Sequence, residues 1–190
     1  MEAVVYLAEQ NKALVTIFHV FFVVVGMGSA LVTDLLFVYF ALNKTLAPFE
    51  TKVIRLLSRA VTFALCGILL SGFFLFLSDT ERYLGSAKFL TKMTVVAILV
   101  VNGFLLHTLV FKHLSDQGYL NKAANRSNRR KAFLLGAISF VSWVSAMSLG
   151  VLDKIPVSYA TALSIYLAIL GCGALVSQVL HGMYEKLRRK

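Results

Sequence analysis

Apolar residues in this chain come in runs too long for a strand or a surface helix. Five stretches, at about 13–42, 60–77, 93–111, 132–152 and 157–180, each approach or exceed the roughly 20 residues that a helix needs to cross a bilayer core. Polar punctuation separates them: NKTLAPFETK with Pro48, then SDTERYLGSAKFLTK, then HLSDQGYLNKAANRSNRRK, and the short turn VLDKIP. The pattern predicts an all-α, polytopic membrane protein, with residues 1–190 forming a single bundle of five transmembrane helices. No internal repeat accompanies it.

The first run is the least uniform. Residues 18–40 read FHVFFVVVGMGSALVTDLLFVYF, an apolar span that carries a histidine and an aspartate. On a 3.6-residue period His19, Val23, Gly26, Ala30 and Asp34 share one stripe. The two ionisable groups sit about 22 Å apart along the axis. They therefore occupy opposite halves of the membrane, and Asp34 is the stronger functional candidate. Gly26, Gly28 and Ala30 are the small residues that let a second helix approach closely. Similar small or polar positions recur as Gly67 and Ser71 in the second span, Asn102 in the third, and Gly173 and Ser177 in the fifth. Plain helix packing accounts for all of them. Serines 139, 142, 145 and 148 recur at every third residue of the fourth span, so their hydroxyls drift around the helix.

Composition agrees with a lipid-solvated chain: 58% of residues are hydrophobic, 15% are charged, and mean hydropathy is +0.79. The net charge of +10 resembles a nucleic-acid signal, but its placement speaks against one. Lysine and arginine cluster in residues 43–59, 112–131 and the C-terminal tail, which fall on one side of a five-span protein. By the positive-inside rule the C-terminus is cytoplasmic and the N-terminus outside. The opening MEAVVYLAEQNK lacks the basic n-region of a signal peptide, so the first span is expected to remain in the mature protein. Cys66 and Cys172 have no disulfide or metal spacing and read as small buried hydrophobes.

The chemistry-bearing residues admit several readings. Haem b needs two facing imidazoles. His19, His107, His113 and His181 are available, with His107 and His181 the best same-level pair. A transition metal would accept the oxygen and nitrogen donors of Asp34, His107 and His19. Alternatively Asp34 pairs with Arg55, Arg59 or His107, and the chain is a non-catalytic structural or assembly subunit. No nucleophile elbow, HExxH or paired-carboxylate pattern supports a hydrolytic or transferase enzyme. The expectation is an integral membrane protein handling an ion, a metal or an electron at a polar site near Asp34 and His107. Its partners are anionic headgroups beside the basic segments, and an oligomer or membrane-protein partner is compatible with it. Nucleic acid is not expected.

Several local patterns carry a resemblance. They are H-x6-G-x-G-S-A-x3-D-x2-F from His19 to Phe37, L-S-R at 57–59, L-S-G at 70–72, K-F-L-x-K-M at 88–93 and N-G-x2-L-H at 102–107. Over the first 110 or so residues the chain resembles a family of bacterial inner-membrane proteins of unassigned activity. It is more loosely similar to the copper-resistance D family and to small membrane cytochromes b. The resemblance implies a bacterial plasma-membrane location and makes His19, Asp34, Asn102 and His107 the positions of interest. The same-depth histidine pairs expected of a cytochrome b are missing.

Overall fold

The computed structural model describes residues 2–42, 47–112 and 126–188. Among them there is no strand; the chain runs as α1 (Glu2–Gln10), α2 (Lys12–Leu42), α3 (Pro48–Leu77), α4 (Thr80–Leu84), α5 (Ala87–Leu106), α6 (Arg126–Val151) and α7 (Tyr159–Arg188). A π-helical turn, His107–Phe111, continues α5, closed by a bond from Lys112 N–H to the His107 carbonyl at 3.1 Å. The helices α2, α3, α5, α6 and α7 are each long and apolar enough to cross a membrane.

Three of the five spans begin well before the apolar runs do. Pro48 starts α3, because a proline at the first helical position loses no hydrogen bond. The Glu50 carboxylate also reaches back to accept from Ala47 N–H at 2.8 Å. Arg55 and Arg59 are thus exposed helical residues of α3 rather than members of a loop. Ser86 caps α5 by accepting from Phe89 N–H at 3.3 Å, which puts Lys88 and Lys92 inside the helix. α6 opens at Arg126, so Arg129, Arg130 and Lys131 belong to its first two turns. At the α3–α4–α5 corner Phe76, Tyr83 and Phe89 pack ring on ring, with centroids 4.9–6.5 Å apart.

α2 and α3 form a tightly packed antiparallel pair, while α6 lies against α2, α5 and α7. The least apolar of the five spans is therefore the central one. In lipid this arrangement is stable, since small and hydroxyl residues allow close backbone approach and satisfy their own polar atoms. Ser142, fully buried, donates to the Ile138 carbonyl at 2.6 Å and bonds the Tyr166 hydroxyl at 2.9 Å. Two apolar clusters fill the bundle. One gathers Ala30, Ile68, Leu99 and Trp143; the other gathers Phe40, Ile54, Val110, Ala132, Leu135 and Tyr184.

The small residues divide by what faces them. Gly26 receives Trp143, and Gly67 receives the Phe22 ring. Gly173 abuts Val141, and Ala30 and Ser71 are buried. Gly28 departs from the packing expectation: it is exposed, with no atom within 4 Å of where a Cβ would stand. Two residues from Gly26 is about 200° around the helix, so the two glycines point to opposite sides. The cysteines depart too. Cys66 and Cys172 are exposed on the outside of the bundle, because lipid accepts a small apolar side chain as readily as a core does.

Candidate functional site

The polar groups on the bundle's interior form three levels along α2 and α6. The first is farthest from the segment joining α2 to α3. There His19 of α2 meets Ser71 of α3, Nδ1 to Oγ 2.9 Å. The serine hydroxyl is also 2.6 Å from the Gly67 carbonyl, which can only accept. That contact uses the serine proton, so His19 Nδ1–H is the donor to Ser71 Oγ. Lys92 of α5 lines the same cavity of about 20 Å³, together with Val23, Ile68 and Trp143. One turn earlier, Lys88 Nζ donates to the Leu152 and Asp153 carbonyls at the end of α6. A cation at a helix C-terminus is favourably placed against the helix dipole.

The second level holds Asp34. Its Oδ1 lies 3.6 Å from the position a Cβ would take on Gly136 of α6, so the carboxylate faces that helix at close range. Its Oδ2 is buried and has no hydrogen-bond partner. On the same turn of α6, Asn102 of α5 donates to the Leu135 carbonyl at 3.0 Å. The other side-chain atom of Asn102, Oδ1, is likewise buried without a partner. Two orphaned acceptor oxygens therefore flank adjacent residues of one helix.

The third level lies a turn further on. Phe37 packs edge-on against Phe133, and Phe133 packs against His181 at 5.6 Å and Tyr184 at 5.8 Å. Behind them Arg129, 2% exposed, bonds Glu185 through Nε at 2.9 Å and Nη2 at 2.8 Å. His181 Nε2 stands 3.5 Å from the same carboxylate oxygen.

The structure thus places His19, Asp34 and His181 on three separate levels. His107 is exposed at the start of the π-turn. Among the described residues no three His, Cys, Asp or Glu side chains gather as metal ligands, so Asp34, His107 and His19 do not form one cluster. His113 lies outside the described residues. Ser177 is buried and donates to its own helix at Ala174, a packing role.

Arg129 and Glu185 were not legible as interior groups from their composition, since each sits among residues that read as solvated charge, whereas depth along the spans already put Ser71 and Lys92 near His19. A signal existed for Arg129. With Ala132, Leu135, Ser139 and Ser142 it continues one buried stripe at spacings of three and four. His181 and Glu185, four apart, share a face of α7 in the same way. No known protein family, characterised protein or solved structure matches this chain.

Proposed function

We propose that this chain is a multi-pass protein of a bacterial-type plasma membrane that handles a cation, a proton or a small metal ion, at the Asp34 level of its bundle. The observation that carries this reading is the pair of buried acceptors, Asp34 Oδ2 and Asn102 Oδ1, with no donor to either. A buried polar atom left unsatisfied costs on the order of 1–3 kcal/mol, and more when charged. Binding a proton or a cation offsets that cost directly. Carboxylate and amide oxygens are also the donors that hard cations select. The His19–Ser71–Lys92 level lies on the same α2 stripe and supplies a second polar stage toward the opposite face. Transport across a bundle needs such stages in series.

Vesicles reconstituted with the protein should dissipate an imposed proton or cation gradient faster than empty ones. Asp34→Asn should lower that rate at least tenfold while leaving insertion and thermal unfolding unchanged. A wild-type rate equal to that of empty vesicles overturns the reading. A wild-type rate retained by Asp34→Asn removes this residue from it.

The orientation that goes with this reading has the N-terminus outside and the C-terminus in the cytoplasm. It rests on fourteen of the 19 lysines and arginines falling on one side of a five-span chain. A reporter enzyme fused after Lys190 should be active only in the cytoplasm, and activity confined to the outside refutes the assignment.

A further inference from the structure

On the outer side of α6 and α7, at the end of the bundle where α6 begins, a groove of about 420 Å³ opens between the two helices. Its lining changes character with depth. Ser127, Arg130 and Lys131 of α6 and Gln178 of α7 form the shallow end; Leu134, Gly171, Ala174 and Leu175 form the deep end. Both walls descend at helical spacing, so from Ser127 to Leu134 the groove runs about 10 Å along the axis. Arg130 spans it, donating from Nε to Gln178 Oε1 at 2.5 Å. That bond fixes the guanidinium plane and presents the terminal amino groups of the fork for a second acceptor. Gly171 is exposed with nothing within 4 Å of a Cβ position, so the deep end has a bare backbone floor.

We infer that this groove binds one anionic phospholipid of the surrounding membrane. Its phosphate sits on Arg130, Lys131 and Ser127, and an acyl chain lies over Gly171, Ala174 and Leu175. The order of the lining decides the chemistry. Two adjacent cations and a hydroxyl match a phosphodiester, and Arg in particular makes paired bonds to phosphate oxygens. A soluble anion would have no use for the apolar floor. A zwitterionic lipid would bring an ammonium toward the same two cations. Basic pockets between membrane helices are suited to acidic lipid headgroups on these grounds.

The test is native mass spectrometry of the purified full chain, titrated with phosphatidylglycerol, with phosphatidylcholine of equal chain length, or with glycerol phosphate alone. One phosphatidylglycerol should be retained at least fivefold better than phosphatidylcholine, and glycerol phosphate should not be retained. The R130Q/K131Q variant should lose at least fivefold of that retention. Gly171→Leu should lose as much by filling the floor; the position is exposed and no protein atom stands within 4 Å of where its Cβ would be, so thermal unfolding should stay at the wild-type midpoint. Arg59→Gln, an exposed arginine of α3, should retain lipid as the wild type does. Equal retention of both lipids, retention of glycerol phosphate, or wild-type retention by Gly171→Leu overturns the proposal. The readout is independent of any ion flux through Asp34.

Discussion

Replacing Arg129 with alanine should destabilise the bundle by about 3–5 kcal/mol, the cost of leaving one member of a buried ion pair without its partner. The side chains are 2% and 11% exposed, and Glu185 Oε1 takes both guanidinium bonds. Without the arginine, that carboxylate would lose both guanidinium bonds in a setting shared with His181 and Phe133. The paired replacement Arg129→Met with Glu185→Leu should behave differently. It removes both charges and their desolvation together, so its stability should lie within about 1 kcal/mol of wild type or above it. Reversible unfolding in mixed micelles measures both variants, with Lys186→Gln, an exposed neighbour on α7, as the reference for loss of an unburied charge. A single variant that unfolds with the wild-type curve would mean the pair is solvated in the membrane.

The second large effect belongs to Trp143. It is 2% exposed and lies where α2, α3 and α6 converge, against Gly26 and the cluster of Ala30, Ile68 and Leu99. Truncation to alanine should cost about 3–5 kcal/mol, combining lost contacts with the cavity left behind. The complementary change attacks the same contact from the other side. A Cβ on Gly26 would stand 2.5 Å from Trp143 Cη2 and 3.0 Å from Ala64 Cβ, so Gly26→Leu should cost at least about 1–3 kcal/mol by overpacking. Gly28→Leu should cost almost nothing, because the position is exposed and no protein atom lies within 4 Å of where its Cβ would stand. Trp143 is the single tryptophan of the chain, so its emission reports this junction during unfolding. Equal unfolding curves for the two leucine variants would show that α2 does not present Gly26 to α6.

What could be read from the residues and what could not follow from what a bilayer selects. Lipid rewards any long apolar window, so the existence of five spans is written plainly in hydropathy. It does not discriminate between facing lipid and facing another helix. Cys66 and Cys172 could therefore be read as apolar positions but not as interior ones. Helix starts were obscured because caps and first turns tolerate charge. Pro48, Ser86 and Arg126 open α3, α5 and α6 among residues that look like loop. The α2 stripe was legible at Gly26 and Ala30, which do face the bundle, and the 3.6-residue period already excludes Gly28 from it. Asn102 was legible as a packing residue and as a position of interest at the depth of Asp34, but not in its contacts. Its bond to the Leu135 carbonyl, and the orphaned oxygen it shares a level with, depend on how α5 meets α6. No periodicity within one helix encodes that.

The π-helical turn at His107–Phe111 has a consequence for how this chain tolerates change in length. Counting from Asn102, an uninterrupted α-helix would bring position 109 back to the inner face, yet Leu109 is exposed and Val110 is the buried residue. The wider turn absorbs one surplus residue and restores phase, so that α5 keeps a continuous seam across eight residues where seven would ordinarily suffice. The turn therefore works as an expansion joint. Loss of a single residue within it would leave an ordinary α-helix that still seats Val110 against Ile54 and Leu135. Loss of a residue between Leu99 and Asn102 would instead rotate Asn102 off its ledge on α6.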